Sequence, residues 1–362
     1  MPKNTGKTVY LGMSGGVDSS LSAVLLKEQG YNVVGVYMKN WSKDLPGMKC
    51  PWAEDLADAK RVAVRLGIDF KVFDFETEYK QKVVDYMLAE FKKGNTPNPD
   101  IMCNQEIKFK MFYEVAMEQG ADFIATGHYA RTGVDAAGIP ALLRAKDENK
   151  DQTYFLYRIS DEALKKTIFP VGDMLKTEVK ALAAEKGLDN AYKKESMGVC
   201  FVGEVGMKDF LKEYIDAKPG EIRDENTDEK LGMHEGAVFY TVGQRHGLKV
   251  GGGLPYYVVK KDLEKNIVYV SRNLNSAELW TKELALKEVF IRGGKTEKIE
   301  KNTEIQVRLR HRAPLIPAKL TNYDTKSQKI KCEFAREVKK PAAGQSVVFY
   351  SGEECLGGGI IA

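Results

Sequence analysis

Seven residues, Ser14-Gly15-Gly16-Val17-Asp18-Ser19-Ser20, limit this chain more than any other stretch. The apolar run Val9-Tyr10-Leu11 leads into them, and an amphipathic run with Leu21, Val24 and Leu25 leads out to Gly30. That order predicts a strand, a glycine turn and a helix closed by a terminating glycine. Such a turn aims backbone N–H groups and a helix dipole at one point, which makes an anion site. Gly15 and Gly16 let the backbone approach an anion with no Cβ in the way. Ser14, Ser19 and Ser20 add hydroxyl donors, and Asp18 is a candidate ligand for a magnesium ion bridging phosphates. A βα turn capped by Ser or Asp is the plainer alternative. The loop is not a Walker A: Gly6-Lys7-Thr8 and Gly294-Lys295-Thr296 look like its tail, but Met1 and Val289 stand where it needs the first glycine.

Strand and helix patterns alternate from residue 7 to about 130. Val33–Met38, Phe70–Phe75 and Phe123–Thr126 read as strands. Ala53–Leu66, Tyr79–Lys93 and Gln105–Gln119 read as helices, each followed by a glycine. The alternation predicts an α/β fold with a doubly wound parallel sheet. Ligands of such sheets sit at the carboxyl ends of the strands. The glycine loop, Met38 and Thr126-Gly127-His128 all fall there. Residues 131–208 are mixed and close the first domain, with a helix near Lys176–Lys186. Residues 209–282 are rich in glycine and strand formers and make a small central domain, with a strand pair around Tyr256–Val259 and Ile267–Val270. Residues 283–362 carry short strands separated by turns, which predicts a β-barrel.

At 362 residues with 43% hydrophobic content, the chain can bury two or three cores. No run approaches the ~18 apolar residues of a membrane-crossing helix, and there is no secretory leader pattern. A cytoplasmic protein that does not enter membranes is expected, and a monomer. Five cysteines without a CxxC pair suit neither a disulfide framework nor a structural zinc site. The net charge of +4 is unevenly placed: residues 287–340 hold 15 Lys and Arg against 7 Asp and Glu. A basic segment of this kind suits a polyanionic partner, although a solvated lysine-rich surface would look the same. Arg308, Arg310 and Arg312 alternate, which would set them on one face of a strand.

Two cysteines occupy conspicuous settings. Cys103 ends Thr96-Pro97-Asn98-Pro99-Asp100-Ile101-Met102-Cys103 and is expected directly before a helix. A helix N-terminus there would favour the reactive thiolate, and Asp100 is near enough in sequence to be a candidate acid or base. Cys200 lies in the glycine-bounded stretch Ser196–Gly203.

The glycine loop resembles the pyrophosphate-binding loop of the N-type ATP pyrophosphatases. With it, in order, stand TPNPDIMCNQEIKF, ATGHY, KDQTYFLY, GVCFVGE, TVGQRHGL and CLGGGII. Over essentially its whole length the chain resembles the bacterial tRNA-specific 2-thiouridylases, which exchange the C2 oxygen of a wobble uridine for sulfur. The resemblance implies three domains: a catalytic domain of the ATP pyrophosphatase type at 1–208, a central domain at 209–282 and a tRNA-binding β-barrel at 283–362. It implies that Gly12, Met13, Ser14, Gly15, Gly16, Val17, Asp18, Ser19, Met38 and Gly127 contact ATP, which is used with magnesium. Asn98, Pro99 and Asp100 would face the target base. Cys103 would be the catalytic cysteine, and Cys200 would carry the sulfur as a persulfide. His128, Lys150, Asp151, Gln152, Arg310, His311 and Gln345 would contact tRNA. A sulfur-relay protein is the implied donor.

A uridine C2 carbonyl is a poor electrophile, so adenylation of its oxygen is expected before sulfur arrives. The phosphate loop takes the charge developing on pyrophosphate. The Cys200 persulfide then attacks C2 directly, or Cys103 releases hydrosulfide from it, and a Cys103–Cys200 disulfide remains. A flipped anticodon base is the accessible kind of substrate. The rival readings are an adenylating ligase acting on a small acid, which needs no cysteine pair, and a nucleic-acid-binding module with a vestigial nucleotide site.

Overall fold

The structure is a computed structural model that describes residues 6–44, 50–135, 138–193, 206–251, 253–294, 296, 299 and 305–362. Its first sheet grows from β1 (Thr8–Gly12), followed by α1 (Val17–Glu28), β2 (Asn32–Lys39), α2 (Trp52–Leu66), β3 (Asp69–Asp74) and β4 (Phe123–Thr126). These strands are parallel, and with β7 (Thr167–Ile168) their order is β3-β2-β1-β4-β7. Alternate residues feed opposite cores. Tyr10, Val34, Val36 and Ile124 enter one, while Val9, Leu11, Val33 and Ala125 enter the other. A sheet apolar on both faces must be covered on both, which is the doubly wound arrangement expected from the alternation.

The helices between β3 and β4 depart from the expected bounds. The first begins at Glu76 and passes through a π-helical run, Lys80–Asp85, before Tyr86–Lys92. The second begins at Pro99, runs through π-helical Cys103–Met111 and ends at Glu118. The Asn98 side chain accepts hydrogen bonds from the N–H groups of Asp100 and Ile101 (3.1 and 3.3 Å), and proline suits the first helical position. Cys103 therefore lies inside a helix, one turn from its start, not directly before one. A π-turn breaks the 3.6-residue apolar period, which is why the sequence places this start too late.

Between β4 and β7 the hairpin β5 (Arg131–Val134) and β6 (Pro140–Leu143) leaves the parallel sheet. It joins the C-terminal sheet, where Leu142 and Leu143 pair with Cys355 and Glu354. A central four-stranded sheet follows, of β8 (Gly220–Asp224), β9 (Lys230–His234), β10 (Tyr257–Asp262) and β11 (Ile267–Ser271). The barrel strands are β12 (Trp280–Ile291), β13 (Ile305–Arg308), β14 (Ile316–Asp324), β15 (Lys329–Lys339), β16 (Ser346–Ser351) and β17 (Glu354–Ile361). They run β12-β15-β14-β13-β16-β17, and pairing of β12 with β17 closes the ring.

Barrel and first domain share more than the hairpin. Asp151 and Arg308 form an ion pair of 2.6 Å with side chains 0% and 5% exposed. Tyr154 donates to the Ser346 carbonyl (3.0 Å), Tyr157 meets the Ser346 hydroxyl (3.2 Å) and Arg292 reaches Asp161 (2.9 Å). A Cβ on Gly358 would stand 2.9 Å from the Tyr157 ring, so the glycine makes room for it. The arginine triplet does not share a strand face. β13 ends at Arg308, which is buried by its pairing with Asp151, while Arg310 is exposed in the turn that follows and Arg312 has a φ of +61°.

Candidate functional site

A cleft of about 320 Å³ opens at the carboxyl ends of β1, β2 and β4, lined by the glycine loop, Met38, Trp41, Trp52, Lys108, Gly127, His128 and Gln152, among others. One wall is the loop itself. Gly16 is the N-cap of α1 and no side chain caps it, so the N–H groups of the first turn face outward. Ser19 and Ser20 both donate to the Gly16 carbonyl at 3.0 Å, and Asn190 donates to the Gly15 carbonyl (2.9 Å) and the Ser20 hydroxyl (2.8 Å). Gly15 has a φ of +74°. A Cβ on Gly127 would come within 2.7 Å of the Ser19 nitrogen, so β4 and the loop touch through bare backbone. Met38, Trp41, Cys50 and Trp52 add apolar surface to the lining.

Asp18 is not placed as a ready magnesium ligand. Its two carboxylate oxygens accept from the Lys176 ammonium (2.7 and 2.8 Å), and one also accepts from the Tyr129 hydroxyl (2.8 Å). Lys176 begins α3 (Lys176–Glu185) and is buried. Lys193 similarly joins Asp55 (3.0 Å) and Asp58 (2.6 Å) beside the loop. No group of three His, Cys, Asp or Glu among the described residues could hold a metal ion. Magnesium carried in with a nucleotide would meet phosphate oxygens here, beside an Asp18 carboxylate already bonded to Lys176 and Tyr129.

The helix bearing Cys103 reaches the cleft at Lys108; Asn98, Pro99, Asp100 and Cys103 are not among the residues that line it. Cys103 is 5% exposed, and Asn104 donates to the Asp100 carbonyl (2.9 Å). Burial raises the proton affinity of the Asp100 carboxyl, and the Lys108 ammonium partly opposes this. His128 bonds to the Thr126 hydroxyl through Nδ1 (2.8 Å) and packs against Phe109 and Phe169. Burial first, and Lys108 second, hold its imidazole neutral, well below the usual histidine range. Cys200 lies outside the described residues.

The residues expected to contact tRNA diverge. Asp151 is turned inward onto Arg308 and Thr153, so its carboxylate serves the domain seam. Gln152 lines the cleft and accepts from the Tyr129 N–H (2.8 Å). The Gln345 amide donates to the Thr96 carbonyl (2.6 Å). Three units meet at Gly94–Thr96: the Thr96 N–H reaches Ala343 of the barrel (2.8 Å), while Thr241, between β9 and β10, and Lys261 of β10 reach the Thr96 hydroxyl (3.1 Å) and the Gly94 carbonyl (2.7 Å). Arg310 is exposed, whereas Lys150 and His311 are half-buried. The His311 ring lies 4.5 Å from that of Phe155, and burial with the charges of Arg312 and Arg308 lowers its pKa to about 4.

Sequence reasoning missed Lys176, Tyr129, Asn190 and Lys193. Each supports the loop from more than 100 positions away. No local spacing could have announced them.

Three family models match in succession: a tRNA methyl transferase HUP domain over residues 7–204, a tRNA methyl transferase PRC-barrel domain over 208–272 and an aminomethyltransferase beta-barrel domain over 281–361. The curated tRNA-specific 2-thiouridylase MnmA of Bacillus velezensis is 46% identical over 98% of this chain and 94% of its own length. Its namesake in Enterococcus faecalis is 44% identical over 100% of this chain and 96% of its own. That of Listeria monocytogenes serotype 4b is 46% identical over 99% and 95%.

Proposed function

Since the chain belongs to the tRNA-specific 2-thiouridylase family of tRNA-uridine sulfurtransferases, we propose that it activates the C2 oxygen of a wobble uridine with ATP and replaces it with sulfur drawn from a persulfide. One observation carries this reading: the uncapped N-terminus of α1 and Lys108, on the helix that also bears Cys103, line the same cleft. The descriptions of the first two family models speak of methyl transfer, but a phosphate loop suits nucleotide cleavage better.

ATP lies with its adenine toward Met38, Trp41 and Trp52, and with its phosphates on the backbone from Gly12 to Ser19 and beside Gly127. The open amides of α1 take the charge that develops on pyrophosphate. Asn98, Pro99 and Asp100 meet the flipped base, and Asp100, whose proton affinity burial raises, exchanges a proton with it. The Cys200 persulfide supplies sulfur to C2, with Cys103 as the partner thiol, and AMP leaves. Lys150, Arg310 and His311 contact the anticodon arm, and His128 borders the base. The Lys- and Arg-rich barrel at 283–362 adds phosphate contacts. A sulfur-relay protein reloads Cys200, and the enzyme works as a cytoplasmic monomer. No helix among the described residues is long and apolar enough to cross a membrane.

The test is a single-turnover reaction with persulfide-loaded enzyme, quenched in acid and mapped without reductant. A Cys103–Cys200 peptide should appear in step with 2-thiouridine. Product formed in full by Cys200→Ser, with no added sulfide, would overturn the persulfide role.

A further inference from the structure

Two carboxylates, Asp18 and Asp55, line the cleft, and each is already held by a lysine, Lys176 and Lys193 respectively. Lys108 is the only lysine or arginine among the described residues that line it. Unlike its neighbours Lys82 and Lys110, which both pair with Glu106, Lys108 forms no ion pair among the described residues. A cation placed in a cleft with no anion of its own fits an anionic ligand.

Its position follows from the helix that carries it. Asp100, Asn104 and Lys108 recur every four residues along the helix that starts at Pro99. The π-helical run Cys103–Met111 bonds each turn across five residues, so Lys108 stands one such turn beyond Cys103. Asp100 lies earlier on the same helix, on the side assigned to the base, while Lys108 lines the cleft with the glycine loop and Gly127, assigned to the nucleotide. Lys108 thus links the two.

We propose that Lys108 is a catalytic residue that binds a non-bridging oxygen of the nucleotide α-phosphate and stabilises the transition state of adenylation. The inference rests on the nucleotide reading above. In the step it serves, the uridine O2 forms a bond to the α-phosphorus while the bond to the α–β bridging oxygen breaks. That bond's electron pair leaves with pyrophosphate, and the uridine N3 proton passes to the Asp100 carboxylate. The backbone amides of the loop are engaged by the departing pyrophosphate, and Lys176 does not line the cleft. Among the described lysines and arginines, Lys108 is the one that lines the cleft and can meet charge at the α-position.

The test compares wild type, Lys108→Met and Lys108→Arg in forming AMP and pyrophosphate with unmodified tRNA. ATP and the two α-thio diastereomers of ATP serve as nucleotides. Lys108→Met should lose about 100- to 1,000-fold in the rate of nucleotide cleavage, with ATP affinity changed far less. Lys108→Arg should recover part of the rate. Wild type should prefer one diastereomer, because sulfur at the contacted oxygen weakens the contact, and Lys108→Met should lose that preference. A purely structural lysine would not govern this preference. Full cleavage by Lys108→Met, or a preference that survives in it, overturns the proposal. If Lys108→Met does not fold, absence of any diastereomer preference in both wild type and Lys108→Arg overturns it. Failure of wild type to release pyrophosphate would instead overturn the nucleotide reading, and this proposal with it.

Discussion

The phosphate loop and the barrel seam each rest on a cation paired with a carboxylate, yet the two pairs do different work. Lys176 and Asp18 meet at the edge of the cleft, with side chains 9% and 29% exposed. Arg308 and Asp151 meet where no solvent reaches, at 5% and 0%. A pair beside solvent and an anion site can exchange partners when phosphate enters. A dry pair cannot, because separating it leaves an uncompensated charge inside the protein. The first pair therefore sets up chemistry, and the second holds a domain in place.

Breaking the dry pair should have the largest effect on folding. Arg308→Met leaves Asp151 without its cation, and a loss of about 3–5 kcal/mol is expected in denaturant melts. Asp151→Leu combined with Arg308→Met should restore part of it, since the uncompensated charge is gone but the Ala145 and Thr153 donors lose their acceptor. If the single and double variants melt alike, the seam does not depend on this pair. Removing residues 283–362 to test tRNA binding would orphan Asp151 and uncover β6, so point variants at Arg310 are the cleaner probe.

Breaking the cleft pair should act on catalysis. Asp18→Ala is expected to slow pyrophosphate release by about a hundredfold, with tRNA retained on filters within about threefold. Unchanged pyrophosphate release would remove Asp18 from the machinery and erase the contrast between the two pairs.

The smaller effects sharpen the comparison at the edges of the seam. Gln345→Ala removes one hydrogen bond between barrel and Thr96, worth about 0.5–1.5 kcal/mol. A loss as large as that of Arg308→Met would shift the seam's anchor to this loop. His311 borders the buried pair, and its pKa of about 4 lies below the ordinary histidine value. Its neutral form gives stability that is complete above a pH of about 6.5 and is lost as pH falls toward 4. An NMR titration of this ring should show a midpoint near 4. A midpoint at the ordinary histidine value would mean that the ring is solvated.

The two regions were unequally legible in the sequence. The loop between β1 and α1 is contiguous, and its glycines and serines announce an anion site directly. The parallel sheet followed from alternating periods, and the barrel from closely spaced strands. The seam is written in residues that local pattern cannot join: Asp151 and Arg308 lie 157 positions apart, and β6 meets β17 across more than 200. For Asp151 and Gln152 only the family resemblance offers a role, and no local pattern tells that the barrel buries the first while the second lines the cleft. Cys103 looked like a residue preceding a helix because a π-turn hides the apolar period that marks the helix start.

The account stands or falls on coupling between nucleotide cleavage and thiolation. Unmodified tRNA, α-labelled ATP and a sulfide source should be incubated with the enzyme, with nucleosides weighed by mass and the labelled nucleotide product identified. One AMP should be released for each 2-thiouridine formed at the wobble position. Formation of 2-thiouridine without ATP, or with ADP as the product in place of AMP, would contradict it.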